Sequence, residues 1–215
     1  MNSVAILDYG GSNLLSVAKA LQHVGAREHR VSVTQEPAVL RAADRVVFPG
    51  QGAIGACMGN LEETALDEVL REVIRSKPFL GICLGLQTLM EQSDEDCKTA
   101  GLGVIPGRVV RFPARGDRDP VTGLSLKIPH MGWNQVTRSR DHVLWNNIDQ
   151  EAWFYFVHSY YVAPKNRNDI AGETNYGVSF TSAIAHDNIF ATQFHPEKSQ
   201  HAGLRLLSNF LNWAP

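Results

Sequence analysis

The chain has 215 residues, of which 44% are hydrophobic and 20% are charged, and its formal net charge is −2 at pH 7. A chain of this size and composition can bury one globular core, so we expect a single domain over residues 1–215. The chain therefore lacks the excess of basic residues that is typical of proteins that bind nucleic acid.

The first residues do not resemble a targeting sequence. Residues 1–8 carry no basic group and no long apolar run, which favours a first strand over a signal peptide. No segment is apolar over the length that spans a bilayer. The three cysteines, Cys57, Cys83 and Cys97, have no metal-ligand spacing and no secretory context. We therefore expect a cytoplasmic protein with neither a metal site nor a cofactor.

Strand-like and helix-like patterns alternate in the first half of the chain. Apolar runs at residues 4–7, 45–48 and 79–82 predict buried strands. Apolar residues at helical spacing predict a helix over 14–21 and a long helix through 61–73. Strands that alternate with helices predict a parallel sheet with right-handed crossovers.

The second half is richer in strand-like segments, which lie at residues 108–112, 153–157, 170–174, 182–186 and 189–193. Asp187 and Asn188 predict a hairpin turn between the last two, and the apolar pattern over 204–211 predicts a closing helix. The polar segment 113–127 predicts a mobile loop. The fold predicted is α/β, with a mostly parallel central sheet, flanking helices and added antiparallel strands.

The most informative segment is residues 79–87, where an apolar run ends in a turn with Gly81 and Gly85 on either side of Cys83. Glycines around a nucleophile let a strand turn sharply into a helix, as in the Gly-x-Ser-x-Gly nucleophile elbow. A helix start also favours the thiolate, because the positive end of the helix dipole faces the sulfur. Alone, the pattern also fits a small buried cysteine with no chemical role.

A reactive cysteine needs a base, and the base needs an orienting group. His195 follows an apolar segment, and Glu197 lies two residues further on. In extended backbone these two side chains project to the same side, so the carboxylate can hold the imidazole. A lone His-x-Glu is more typical of a solvated loop. Together with the elbow, however, the two residues predict a triad of Cys83, His195 and Glu197.

These motifs resemble the class I glutamine amidotransferases, on Gly-Ile-Cys-Leu-Gly-Leu-Gln at 81–87 and His-Pro-Glu at 195–197. Three further segments are similar to the glutaminase subunits of imidazole glycerol phosphate synthase. They are Asp-Tyr-Gly at 8–10, Ile-Pro-His-Met-Gly-Trp-Asn at 128–134 and Val-His-Ser-Tyr-Tyr at 157–161. The resemblance covers nearly the whole chain and implies a flavodoxin-like α/β fold.

The resemblance implies a reaction in which Cys83 attacks the side-chain amide of glutamine and forms a thioester. His195 then protonates the departing ammonia and activates water, while Glu197 orients His195. Backbone N–H groups of Leu84 and Gln51 are expected to stabilise the oxyanion, although the subfamily commonly has a small branched residue in place of Gln51. The substrate is expected to contact Gly50, Gly52, Gln87, Ser159 and Tyr160.

The segment 128–134 also suggests a docking surface, because Trp and Met are enriched at protein interfaces. We place this segment on a loop; a small satellite core is the alternative interpretation. The resemblance implies a heterodimer with a cyclase subunit, a TIM barrel that makes imidazole glycerol phosphate and AICAR in histidine biosynthesis. The residues expected at this interface are Asn13, Met131, Trp133 and Lys198.

Two other functions stay open on the sequence alone. The chain could be the glutaminase component of another amidotransferase, such as anthranilate synthase, or a non-catalytic regulatory module with the same fold. His158 lies beside an aromatic strand and is typical of a core histidine, so we give it no catalytic role.

Overall fold

The computed structural model describes residues 1–11, 13–25, 28–113, 123 and 126–215, and at Cys97 it describes the backbone alone. The loop predicted at 113–127 lies largely outside the described residues. No helix of the described part is long and apolar enough to cross a membrane. The helices in it are α1 (Leu14–Gly25), α2 (Pro37–Ala42), α3 (Ile54–Glu63), α4 (Leu66–Ile74), α5 (Leu84–Gln87) and α6 (Gln200–Asn212).

The described strands form one mixed sheet. They are β1 (Asn2–Leu7), β2 (His29–Thr34), β3 (Arg45–Gly50), β4 (Phe79–Cys83), β5 (Met90–Ser93), β6 (Ile105–Arg111), β7 (His130–Arg138), β8 (Ala152–His158), β9 (Tyr160–Pro164), β10 (Ile170–Tyr176), β11 (Val178–His186) and β12 (Ile189–Thr192). The main path runs β2-β1-β3-β4-β12-β11-β10-β7-β8. It is parallel from β2 to β12 and antiparallel from β12 to β8, which confirms the predicted fold class.

Each face of the parallel strands packs against a different layer of helices. In β1, Val4 and Ile6 share a core cluster with α1 and α6, whereas Ala5 and Leu7 share one with α2, α3 and α4. Side chains alternate between the two faces of a strand, so a strand covered on both faces needs a continuous apolar run. The apolar runs of the first half predict the buried strands for this reason.

The single long helix predicted through 61–73 is wrong, because the structure has two helices there. Helix α3 ends at Glu63, and α4 begins at Leu66 after Ala65, whose φ is +53°. The Thr64 hydroxyl donates a hydrogen bond to the Asn60 carbonyl at 2.6 Å and thereby closes the first helix. Both helices bury their apolar stripes against the same sheet face, so the apolar pattern continues across the break. Strands β2, β5 and β9 and helix α2 are additions that the sequence patterns did not predict.

The prediction that the segment 128–134 is a loop is wrong. Most of this segment forms the first half of strand β7. Strand β7 pairs antiparallel with β8 over residues 130–136. Its side chains alternate, with His130 buried, Met131 and Trp133 exposed, and Val136 buried. Gly132 and Asn134 interrupt the β-branched composition that marks a strand, so the alternation was not recognised.

The turn after β4 requires a close approach of two backbones. A Cβ at Gly85 would lie 1.9 Å from the carbonyl oxygen of Phe48 in β3. A real side chain cannot occupy that position, so β3, β4 and α5 can meet only if residue 85 is glycine.

We predict that Gly85→Ala lowers the free energy of unfolding by about 3 kcal/mol or more, because backbone must shift to admit the methyl group. The matched control is Gly59→Ala in α3, where a Cβ would meet nothing within 4 Å. That variant should keep or gain stability, by up to about 1 kcal/mol. Urea unfolding of both variants measures the effect, and equal midpoints would contradict the prediction.

Candidate active site

Cys83 sits at the carboxyl end of β4, in the parallel centre of the sheet. Its φ of +56° and ψ of −103° lie in a region that residues other than glycine rarely adopt. Such strain concentrates at functional sites, where it aims one side chain. The elbow predicted from the glycine pattern is therefore present in the backbone.

The helix after the elbow is very short. Helix α5 has four residues, Leu84–Gln87, and the chain enters β5 at Met90. A single turn sums few peptide dipoles, so the expected help from a helix dipole is small. Groups that touch the sulfur directly must supply most of the stabilisation of a thiolate.

His195 and Glu197 form a buried pair, as their spacing predicts. His195 Nδ1 lies 2.9 Å from Glu197 Oε1, with side-chain exposures of 2% and 0%. A short 3₁₀ turn, Pro196–Lys198, holds the two side chains together. The Ser199 hydroxyl donates a 2.6 Å hydrogen bond to the His195 carbonyl and so closes this turn.

Asn13 touches the same carboxylate. Its Nδ2 donates a 2.7 Å hydrogen bond to Glu197 Oε1, although the sequence predicted Asn13 only as an interface residue. The amide thus reaches the triad carboxylate from the segment that precedes α1. Within the described residues, Glu197 Oε2 has no hydrogen-bond partner, so Oε1 makes the contacts that orient the carboxylate.

The charge state of His195 follows from its surroundings. Burial alone lowers the pKa of this imidazole, but the nearby Cys83 side chain and then Glu197 outweigh burial and raise the pKa to about 10. The Nε2 atom is buried and makes no hydrogen bond with any described residue. It is therefore the free nitrogen, on the side of the ring away from Glu197.

A cavity of about 210 Å³ opens beside Cys83. This volume is below that of typical drug-sized sites, and it suits a ligand of amino-acid size. Of the predicted site residues, those in its lining are Gln51, Gly52, Cys83, Leu84, Gln87, Ser159 and Tyr160. His195 and Glu197 are not in the lining, and neither is Gly50. Gly50 pairs with Cys83 across β3 and β4, and a Cβ there would lie 2.9 Å from the Leu84 side chain.

The predicted oxyanion loop is held by Tyr9. The Gln51 N–H donates to the Tyr9 hydroxyl at 3.2 Å, and the same hydroxyl donates to the Gln51 carbonyl at 3.2 Å. Burial raises the pKa of Tyr9 to about 12, so the phenol stays neutral and keeps its proton for the second bond. The Gln51 donor is therefore occupied by Tyr9 in this state. Tyr9 belongs to the Asp-Tyr-Gly motif, but sequence reasoning gave it no role.

Glu95 is the one carboxylate in the described lining of the cavity, and no sequence pattern pointed to it. Its Oε2 accepts a hydrogen bond from the Ile54 N–H at 3.1 Å. Burial raises its pKa, which reflects its position at the wall of the cavity. In the sequence it belongs to the acidic run 94–96, which resembles an ordinary solvated turn.

His158 is a core histidine and not an available base. Its Nδ1 lies 2.8 Å from the Tyr160 carbonyl, which can only accept, so Nδ1 carries the proton. Its Nε2 then accepts from His130 Nδ1 at 3.0 Å. Burial lowers the pKa of His158 to about 3 and that of His130 to about 4, so both rings stay neutral at pH 7.

Two of the predicted interface residues, Trp133 and Lys198, lie beside Tyr155 on the outer side of β7 and β8, and a third, Met131, pairs with Val157 on the same strands. Trp133 lies 6.1 Å from Tyr155 between ring centroids, and Lys198 Nζ lies 5.9 Å from the same ring. Met131 is 62% exposed and Trp133 is 43% exposed. Asn13 instead turns to Glu197. In the described part of the chain, no group of His, Cys, Asp and Glu could hold a metal ion.

Comparison with known proteins agrees with this geometry. The family model "Glutamine amidotransferase class-I" matches residues 5–213. The imidazole glycerol phosphate synthase subunit HisH of Nitrosospira multiformis is 55% identical over 215 residues, covering 100% of both chains. That of Methylococcus capsulatus is 54% identical over 219 residues, covering 100% of this chain and 98% of its own.

Solved structures share the fold at low sequence identity. A glutamine amidotransferase superposes with a TM-score of 0.71 at 15% identity, covering 97% of both chains. The PurLQS structure from Thermotoga maritima gives 0.69 at 14% identity, covering 98% of both chains. The full-length identity above is the stronger result, since these structures show the fold alone. The chain therefore belongs to the class-I glutamine amidotransferase family, in the branch of the HisH subunits of imidazole glycerol phosphate synthase.

Proposed function

We propose that the chain hydrolyses glutamine at Cys83 and passes the ammonia to the cyclase subunit of imidazole glycerol phosphate synthase in histidine biosynthesis. The observation that carries this proposal is the strained Cys83 beside a small cavity, next to the buried pair of His195 and Glu197. The names of the full-length relatives support the choice of synthase. A cytoplasmic location is part of the proposal.

In the proposed reaction Cys83 attacks as its thiolate and His195 begins as an imidazolium. The raised pKa of His195 keeps that ring protonated. The Cys83 sulfur attacks the amide carbon, and His195 Nε2 gives its proton to the departing nitrogen. Ammonia leaves and a thioester remains. The neutral ring then takes a proton from water, and the hydroxide displaces the thiolate and releases glutamate. Glu197 holds Nδ1 and stabilises the ring each time it is charged.

The cavity also has polar groups for the rest of the substrate. Glutamine carries an ammonium and a carboxylate on its α-carbon. The Glu95 carboxylate suits the ammonium, because the two charges are opposite and the wall is partly dry. Gln87, Ser159 and Tyr160 line the same cavity.

The resting position of the oxyanion loop predicts a slow isolated enzyme. Leu84 offers one backbone donor at the start of α5, but the Gln51 N–H is bonded to Tyr9. Loss of one oxyanion donor typically costs about 3 kcal/mol of barrier. A partner that binds better to the form with the Gln51 N–H turned toward Cys83 would raise the rate by shifting this equilibrium.

The outer side of β7 and β8 supports docking of that partner. We call it the β7–β8 face, and its residues are Met131, Trp133, Trp153, Tyr155 and Val157, which form cross-strand pairs together with Gln135. Lys198 adds a cation at its rim. Large exposed apolar side chains grouped in this way are typical of protein interfaces. A partner bound here also shields ammonia from bulk water, where it would be protonated.

The experiment that tests the function measures glutamate release by the chain against increasing cyclase subunit. A saturating rise identifies the cyclase as the partner. A rise with the synthase subunit of anthranilate synthase instead would assign the chain to that amidotransferase. If no glutamate is released under any of these conditions, the chain is a non-catalytic module.

We predict that Cys83→Ala abolishes glutamate release and leaves the unfolding midpoint nearly unchanged. A glutamine-like electrophile should label Cys83 ahead of Cys57, because burial raises the pKa of the Cys57 thiol to about 12. The control is Cys57→Ala, which should keep both labelling and activity. Mass spectrometry locates the label, and turnover by Cys83→Ala would sink the mechanism.

We predict that Tyr9→Phe raises glutamate release by the isolated chain about thirtyfold, since the two hydrogen bonds that it removes each contribute about 1 kcal/mol to the resting loop. The ring should keep its edge contact with Phe48, whose centroid is 5.6 Å away. Release at saturating cyclase should change little. Tyr176→Phe removes a hydroxyl that bonds the Lys127 carbonyl and serves as the control. An unchanged or lower basal rate in Tyr9→Phe would contradict the role of Tyr9 in holding the loop.

We predict that Trp133→Ala weakens cyclase binding at least tenfold, because interface tryptophans contribute strongly to binding. The unfolding midpoint should change little, since this side chain is 43% exposed. Titration of glutamate release with cyclase gives the half-saturating concentration. Val39→Ala alters a 40% exposed residue of α2 and should bind normally. Equal binding by all three proteins would exclude the β7–β8 face as the docking surface.

A further inference from the structure

One backbone carbonyl sets the orientation of two buried amides near Cys83. The Tyr160 carbonyl can only accept, so the Gln87 atom 3.0 Å away is the nitrogen Nε2. The same nitrogen lies 3.1 Å from Gln193, which must therefore present its oxygen Oε1. The remaining end of the Gln193 amide is Nε2, and it lies 3.7 Å from the Cys83 sulfur. The hydrogen-bond network thus points an N–H group at the nucleophile.

Gln193 has little freedom to leave this position. The residue is fully buried, directly after β12 and two positions before His195. Its backbone N–H donates to the Ser182 carbonyl at 2.9 Å. The Tyr160 carbonyl that anchors the network is itself held by His158 Nδ1 at 2.8 Å. A buried amide that is fixed in this way needs no reorganisation to donate to a charge that forms beside it.

The sulfur has neighbours that favour opposite protonation states. The Val157 carbonyl lies 4.0 Å from Sγ and can bond only to the thiol. Gln193 Nε2 donates to sulfur, and donation to a negative sulfur is the stronger bond. Because α5 is a single turn, its dipole adds little for the thiolate.

We propose that Gln193 is a catalytic residue that donates its Nε2–H group to the Cys83 thiolate and holds it ready for attack, with Gln87 and the Tyr160 carbonyl fixing the direction of the amide. This inference rests on the proposed role of Cys83 as the nucleophile. It adds a second group beside the sulfur, in addition to His195.

The test follows alkylation of Cys83 by iodoacetamide over a range of pH in the isolated chain, with the modified residue located by mass spectrometry. Gln193→Met keeps the side-chain length and removes the donor. At pH 7 its rate should fall about tenfold, the lower end of the effect of a charge-assisted hydrogen bond, and the rate profile should shift to higher pH. The kcat for glutamine should fall by a similar factor, with a much smaller change in KM.

Gln193→Glu is the second variant. Its side chain has nearly the same shape as that of glutamine, so the proposal can still be tested if Gln193→Met does not fold. Its carboxylate places negative charge beside the sulfur, so the alkylation profile should shift further to higher pH than in Gln193→Met. Cys57→Ala again serves as the control, with the wild-type alkylation profile expected for Cys83.

An alkylation profile unchanged in both Gln193 variants would overturn the inference, even if turnover fell, because the residue would then act only through the fold. Alkylation does not require glutamine turnover. The proposed function is tested separately, by glutamate release from the wild-type chain and Cys83→Ala. The failure of either proposal can therefore be told from the failure of the other.

Discussion

The constraint on which the site depends is the unusual backbone of Cys83. A positive φ at a residue with a side chain costs about 1–3 kcal/mol, so the surroundings must impose it. They do so through close packing, since Gly85 touches the Phe48 carbonyl and Gly81 packs against the backbone of residue 85. The strands on either side, β3 and β12, are both buried and pair with β4 in parallel. The sheet thus holds Cys83, the proposed nucleophile, at the carboxyl end of a central strand.

The charges of the titratable groups in this site depend on their burial and on their close partners. His195 and Glu197 are almost fully enclosed, and a buried charge is tolerated only with a close partner. Glu197 has two such partners on one oxygen, His195 and Asn13. Burial lowers the pKa of His130 and His158, whereas Cys83 and then Glu197 raise the pKa of His195 despite its burial. Histidine is therefore neutral at positions 130 and 158 and charged at position 195 within one fold.

The proposed docking surface and the proposed reaction site share a short piece of chain. Lys198 reaches the Tyr155 ring on the β7–β8 face, and the preceding residue, Glu197, orients His195. Tyr9 holds the predicted oxyanion loop through Gln51. A partner that contacts Lys198 therefore lies one residue from the carboxylate that orients the predicted base. The arrangement supports a resting state whose activity depends on assembly.

The sequence by itself determined the features that short-range rules encode. A glycine pattern predicts the elbow at Cys83, His-x-Glu predicts the pair at 195 and 197, and continuous apolar runs predict the strands of the parallel centre. These motifs depend on residues a few positions apart, so local backbone geometry is enough to interpret them.

Only the tertiary structure decided which distant residues meet. Asn13 bonds Glu197 across 184 positions, and Gln193 bonds Cys83 across 110, because the sheet order places β1, β4 and β12 near one another. Strand β7 was mistaken for a loop for a related reason. Its Gly and Asn residues are stable in a strand only because β8 pairs with it along its length. Local patterns specify turns and pairs of residues that are a few positions apart, whereas packing across the sheet selects the distant partners that complete the site.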